Sequence, residues 1–382
     1  MKLIENYTYG FEDFSLEPHA LSTIFSRRDV DTSYRLNEAI KLETPIISSP
    51  MADVTDDRLA LAISKAGGIG CIHRFQTIDQ QSNMVDKVFQ AHENCFAAVG
   101  TNEDFMERAI QCIEAGACGI IVDVAFLNHR TLKVCEQIRK TFPNIYLISG
   151  NVATGAGFRA GVDVGLNAIR VGIGNGQACR TSRVTGVGIG LLTSLIECYE
   201  EAQSYEGPAG FAAVICDGGM DVGGSFCKAL AAGASMAIMG RAFAATWESP
   251  GRTMADTTHF SGGTLCEYEN KALASPEQVQ EIRNNGFPIY KEYRGSASME
   301  AQLVSRARGD IITSEGVGSQ VQVNGSVEDV LGRWNGALRS SMSYLGALNL
   351  NQYRDNAVFR RITQGVFNQS KARSLQSFEV VV

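Results

Sequence analysis

Cys179 stands in a glycine-rich run, VGIGNGQACRTSRVTGVG (residues 171–188), that begins where an apolar stretch ends. A thiol on such a loop, flanked by Arg180 and Arg183, has nearby cations that favour the thiolate, the form that attacks an electrophilic carbon. Thr181, two residues further on, is close enough to exchange protons at the same centre. The run is not a Walker A loop, because it lacks Gly-Lys-Ser/Thr, and its glycines do not spell the GxGxxG fingerprint. Two more glycine-bearing turns follow apolar runs: Asp217-Gly218-Gly219 and Gly240-Arg241. Glycines at strand ends let backbone N–H groups approach an anion, and in barrels the last two βα loops form the usual phosphate cradle. Asp217 can accept two hydrogen bonds from a ribose diol or can cap a helix. Arg241 either adds a fixed charge beside the phosphate or is a solvated surface arginine.

These residues need a scaffold that brings strand ends together. Eight short apolar runs, at 45–49, 68–73, 95–99, 119–123, 145–149, 168–172, 212–217 and 235–240, read as buried strands. Helical spacing appears between them at 57–66, 105–115 and 131–139. Alternation of this kind predicts a (β/α)₈ TIM barrel, with a doubly wound sheet as the competing architecture. Glycines in 115–119 and 231–235 mark helix ends just before strands. Beyond the eighth run, polar glycine-rich stretches at 257–269 and 293–325 read as excursions over the barrel mouth, so residues 1–382 are taken as one domain.

Composition narrows the partners. Apolar residues make up 45% and charged residues 20%, as in a soluble globular protein. A net charge of −7 gives no general attraction to nucleic acid or anionic lipid, so any phosphate site must be built locally. The N-terminus has no signal-like apolar run, no stretch reaches the ~18 apolar residues of a membrane span, and a cytoplasmic protein is expected. The ten cysteines lack CxxC pairs or zinc-finger histidines, which predicts mostly core thiols in a reducing compartment.

The ordered motifs are more specific. FEDFSLEP (11–18), PIISSPMADVTD (45–56), GGIGCIH (67–73), GNVATG (150–155), IRVGIGNGQACRT (169–181), DGGMDVGGSFCKALAAGAS (217–235), YRGSAS (293–298), SEGV (314–317) and DVLGRWNGALRSSMSYLGALNL (329–350) span nearly the whole chain. On these the sequence resembles the IMP dehydrogenase/GMP reductase family. The resemblance implies a (β/α)₈ barrel, a purine nucleotide substrate and covalent attack of Cys179 on C2 of the base, with Thr181 and Glu315 as its catalytic partners. It implies substrate contacts at Met51, Gln177, Asp217, Gly218, Gly219, Gly240, Arg241, Tyr293, Gly295, Ser296 and Ser314. Asp123, Asn151, Gly172 and Gly174 then lie toward a nicotinamide cofactor, although Asp123 can equally cap a helix. A monovalent cation, K⁺ in the dehydrogenase branch, is implied on the backbone carbonyls of Gly174, Gly176 and Cys179. Relatives of this kind form homotetramers or larger assemblies.

Within the family the sequence points to the reductase branch, with NADPH reducing GMP, or a related guanine nucleotide, to IMP and ammonia. No CBS pair interrupts residues 88–95, though some dehydrogenases also lack that insert. The flap, residues 300–316, has no Arg-Tyr step of the kind dehydrogenases use to activate water. PIISSPMADVTD and GGIGCIH look more like the dehydrogenase, which would make XMP from IMP with NAD. Departures fall at Gln177, Arg241, Ser296 and Ile312, where the family usually has Ser, Gly or Ser, Met and Arg. A larger Gln177 and a charged Arg241 are expected to rebuild the phosphate pocket, while a nucleotide-binding homologue without turnover is the alternative.

Overall fold

The computed structural model describes residues 6–176, 181–256, 271–273, 276–295 and 318–370. All eight apolar runs become parallel strands: β1 (Ile46–Ser48), β2 (Gly70–Ile72), β3 (Cys95–Val99), β4 (Gly119–Val122), β5 (Tyr146–Val152), β6 (Ala168–Val171), β7 (Ala213–Asp217) and β8 (Met236–Met239). Each of β2 to β7 pairs with its successor. β8 pairs with β1, and Ile47 bridges Ile69 beside β2, so the ladder closes on itself. A closed ring in chain order is the (β/α)₈ TIM barrel and excludes the doubly wound sheet.

Burial on both faces explains why the strands read as unbroken apolar runs. In β3, Phe96 and Ala98 join the interior cluster, whereas Cys95, Ala97 and Val99 join the layer under the helices. That two-residue alternation is what a pleated strand imposes. At the N-terminal end of the barrel, a hairpin of Tyr34–Arg35 and Lys41–Leu42 sends Leu36 and Leu42 into the interior cluster. Tyr34 is half-buried and packs against the same cluster. This end is therefore plugged, and the strand C-termini are left for a ligand.

The predicted helices appear as α1 (Asp57–Lys65), α3 (Phe105–Glu114) and α4 (His129–Thr141), with α2 (Ile78–Gln90) between them. α4 starts two residues before its apolar pattern because the Asn128 side chain accepts from the backbone N–H groups of Arg130 and Thr131. Further outer helices are α5 (Gly155–Asp163), the short α6 (Thr181–Thr185), α7 (Leu191–Ser204), α8 (Gly223–Ala231) and the one-turn α9 (Arg241–Ala244), and a long helix, Val327–Tyr344, packs against α8 and α1. Gly116 and Gly233 follow α3 and α8 with φ of +104° and +111°, the left-handed stop read from the sequence. The eight described cysteines are all unbonded, and all but Cys118 are buried. Burial pushes the thiols of Cys112, Cys135 and Cys198 up to about 12, which suits packing rather than reaction.

The region after β8 is more ordered than excursions alone. It holds β9 (Thr253–Asp256), β10 (Lys271–Leu273), helix α10 (Pro276–Asn284), β11 (Ile289–Arg294) and β12 (Gly318–Gln322). The four strands form an antiparallel sheet in the order β10-β9-β11-β12. Trp247 and Ala245, just past α9, exchange backbone hydrogen bonds with Gly325 and Asn324, which ties this sheet to the end of β8. The stretch 257–269 lies outside the described residues.

Candidate active site at the barrel mouth

Arg170 organises the mouth. It occupies the third position of β6 amid buried apolar neighbours, and its side chain is 8% exposed. Its Nη1 donates to Asp123 Oδ1 at 2.7 Å, while Nε and Nη2 donate to Asp217 Oδ2 at 3.0 and 2.7 Å. Burial opposes the guanidinium charge, but the Asp217 and Asp123 carboxylates outweigh it and hold the group above its ordinary range. Arg74 lies beyond Asp123, its Nε 3.8 Å from Oδ2, and stacks on Phe75 at 4.7 Å. The ends of β4, β6 and β7 are thus joined by one charge-paired chain.

This network settles two choices left open by the sequence. Asp123 is not a helix cap, because Asn128 caps the next helix. Asp217 is not one either, since α8 begins after Val222 with no side-chain cap. Asn151 completes the group from β5, its Nδ2 donating to Gly172 O and to Asp217 Oδ2, both at 2.7 Å. Both neighbours are acceptors, which fixes the amide's orientation.

Two acceptors then remain. Asn151 Oδ1 is buried with no hydrogen-bond partner among the described residues. Three donors converge on Asp217 Oδ2, leaving Oδ1 outside these bonds. A buried unmatched acceptor costs about 1–3 kcal/mol, so a ligand amide N–H at Asn151 would recover that loss. A nicotinamide carboxamide carries such a donor, and the residues present fit that group.

The glycine turns are required by conformation and by space. Gly174 and Gly218 have φ of +78° and +70°. A Cβ at Gly174 would lie 1.8 Å from Ser182 Oγ, and one at Gly218 would lie 3.1 Å from Gly176 Cα. The loop after β6 therefore packs against both α6 and the loop after β7, bringing Gly172, Gly174, Gly176, Gly218 and Gly219 to one side of the mouth. Thr181 opens α6 and is half-buried.

On the other side, β1 and β8 meet the accessory sheet. Ser49 N donates to Met239 O at 3.0 Å, and Thr55 Oγ1 donates back to Ser49 O at 2.7 Å, so the loop carrying Met51 is cinched. Gly240 is crowded here: an added Cβ would sit 2.9 Å from Tyr293 Oη and 3.2 Å from Met51 Sδ. Met51, Gly240 and Tyr293, each read from the sequence as a substrate contact, thus lie together, with Gly295 buried just beyond. Arg241 is exposed at the first position of α9. His73, just past β2, is buried, and its Nδ1 accepts from Phe75 N at 3.1 Å. Burial lowers its pKa to about 4 against the opposing charge of Asp53, so the ring is neutral at pH 7.

Of the residues read as chemical, Cys179, Gln177, Ser296, Ser314 and Glu315 lie outside the described residues, as does Ile312. Only the Gly174 and Gly176 members of the carbonyl trio proposed for a monovalent cation are described. Sequence reasoning missed Arg170. The signal was available: a charged residue inside a four-residue buried strand needs acidic partners, and Asp217 ends the next run while Asp123 ends the run two before it. It also missed the pair Asp53 and Arg294, which are 241 positions apart in sequence.

The sequence model of the family described as "IMP dehydrogenase / GMP reductase domain" matches residues 8–269 and 271–373. An inosine-5'-monophosphate dehydrogenase of Aquifex aeolicus is 27% identical over 502 aligned positions, covering 96% of this chain and 95% of the relative. One of Borreliella burgdorferi is 28% identical over 411 positions, covering 94% and 95%. One of Streptococcus pyogenes is 32% identical over 281 positions, which covers 73% of this chain and 52% of that protein. Since 502 aligned positions far exceed 382 residues, the A. aeolicus relative carries more than a hundred residues without a counterpart here. The B. burgdorferi alignment exceeds this chain by far less, so the shorter form also occurs among proteins named as dehydrogenases. With a family-model match over nearly its whole length and a (β/α)₈ TIM barrel, the chain belongs to the IMP dehydrogenase/GMP reductase family.

Proposed function

We propose that this chain is a nicotinamide-dependent oxidoreductase acting at C2 of a purine nucleoside monophosphate through Cys179, and that it works as an IMP dehydrogenase with NAD. The observation that carries the class is the Asp123–Arg170–Asp217–Asn151 network beside the glycine turns. It offers Asp217 Oδ1 to a ribose hydroxyl and Asn151 Oδ1 to a carboxamide. The direction is supported by the relatives, which are named dehydrogenases and include one without the long extra segment.

In this reading the Cys179 sulfur adds to C2 of IMP as the C2 hydrogen leaves with its electron pair. Water then displaces the sulfur, giving XMP and restoring the thiol. The chemistry a bound cofactor supplies is acceptance of that hydride. Thr181 and Glu315 move the protons, and Asp217 orients the ribose. Gly172 and Gly174 keep the backbone close on the cofactor side. Met51, Gly240, Tyr293, Gly295, Ser296 and Ser314 frame the nucleotide, with Gln177, Gly218, Gly219 and Arg241 toward its phosphate. Carbonyls of Gly174, Gly176 and Cys179 would hold a monovalent cation such as K⁺. The whole chain acts as one domain without a CBS pair, assembled as a homotetramer or larger.

The second reading is reduction of GMP, or a related guanine nucleotide, by NADPH. It is favoured by the flap sequence at 300–316, which lacks the Arg-Tyr step. There Cys179 adds to C2, ammonia leaves with a proton from Thr181 polarised by Glu315, a hydride enters and the sulfur departs to give IMP. Incubating the protein with IMP and NAD, and separately with GMP or dGMP and NADPH, while following reduced nicotinamide absorbance, separates the two. Formation of NADH from IMP supports the dehydrogenase, and NADPH loss only with a guanine nucleotide reverses the direction. Silence in every pairing, with tight nucleotide binding, leaves a non-catalytic homologue.

A further inference from the structure

We propose that Asp53 is a positioning residue for the nucleotide side of the mouth, acting through Arg294; the inference rests on the proposed purine nucleotide substrate. Asp53 follows Met51 by two residues and is 5% exposed. Its Oδ2 accepts from Arg294 Nε at 2.7 Å and from the Arg294 backbone N–H at 3.1 Å, and its Oδ1 accepts from Nη2 at 2.5 Å. The side-chain contacts form a fork-on-fork pair, and the backbone bond fixes the end of β11 itself.

The pair holds two elements in register. Arg294 is the residue after Tyr293, so the clamp sets how far β11 lies from the β1 loop. Gly251 shows how tight that junction is, because an added Cβ there would lie 2.4 Å from Glu292 O and 3.4 Å from Asp53 O. At the same junction the Tyr293 hydroxyl and the Met51 sulfur both close around Gly240. Ser319 Oγ steadies Tyr293 from behind, donating to its carbonyl at 3.1 Å. Among the described residues Asp53 makes no hydrogen bond or ion pair with Asp123 or Asn151, the residues assigned to the cofactor side, so its influence falls on the nucleotide side.

That asymmetry gives a test that a purely structural clamp would not pass. Steady-state constants are measured for wild type, Asp53→Asn, Asp53→Glu and Arg294→Lys with the productive nucleotide and cofactor pair, together with each variant's melting temperature. Asp53→Asn is expected to raise the nucleotide KM about tenfold, the equivalent of about 1.4 kcal/mol, with the cofactor KM changed less than about twofold. Asp53→Glu is expected to recover part of the loss, and Arg294→Lys to show the same split in smaller measure, because a lysine keeps the charge without the fork. Should Asp53→Asn not fold, Arg294→Lys carries the test. Equal changes in both KM values, or no change in either, overturn the positioning role while leaving the enzyme assignment standing. A wild-type protein that neither turns over nor binds any purine nucleotide overturns both.

Discussion

Replacing Arg170 by methionine is the perturbation whose consequence is easiest to work out. The side chain is nearly buried, and its three nitrogens compensate two carboxylates, Asp123 and Asp217. Methionine fills similar apolar volume but leaves both acids facing each other without their cation. Breaking a buried pair by removing one partner typically costs about 3–5 kcal/mol, and we expect Arg170→Met to lose stability in that range at pH 7 in urea denaturation. Adding Asp123→Asn and Asp217→Asn to Arg170→Met is expected to recover much of the loss, because no uncompensated charge remains. A deficit below about 1 kcal/mol, or one that the two added Asp→Asn changes do not reduce, would refute the view that this network is held by charge pairing.

Other consequences are as direct. His73 is neutral when folded, with a pKa of about 4, so its stabilising effect is present above the unfolded value near 6.5 and is lost as pH falls toward 4. His73→Gln is expected to flatten that acid limb by up to about 3 kcal/mol, read from denaturation midpoints at pH 7 and 4.5. Lys291 is buried among the carbonyls of Ser249 and Trp247, and desolvation lowers its pKa to about 8. Its burial as a cation therefore costs stability below pH 8, a cost relieved as pH rises toward 10.5, and Lys291→Met is expected to be the more stable protein at pH 7, with the gap closing at alkaline pH. Gly240→Ala puts a methyl against Tyr293 Oη and Met51 Sδ, both ends of side chains that can swing. A several-fold rise in nucleotide KM with little loss of melting temperature is expected, and a large stability loss would show that this junction is rigid instead.

The barrel was legible because parallel strands buried on both faces must be apolar throughout, and eight such runs can close only a few ways. The glycine stops at Gly116 and Gly233 were legible because helix ends demand φ values that other residues avoid. The accessory sheet was not, since β11 alternates buried and half-buried residues in the sequence IYKEYR, and its charged members hide a strand. Arg170 was hidden for the opposite reason: it looked like a stray charge in a strand, and only the closed barrel brings Asp123 and Asp217 to it. Pairs such as Asp53 and Arg294 depend on the far end of the chain returning to β1, which no local pattern encodes. The short hairpin at 34–42 that plugs the barrel floor fell below the length at which alternation can be read.

The most direct test follows the hydrogen at C2. IMP carrying deuterium at C2 is incubated with NAD and the protein, and the deuterium content of nucleotide and cofactor is read by mass spectrometry, with Cys179→Ala beside it. Deuterium is expected to leave the purine and appear in the reduced nicotinamide, and the substitution to abolish the transfer. Cofactor turnover with the deuterium still on C2, or transfer undiminished without the Cys179 thiol, would contradict this mechanism.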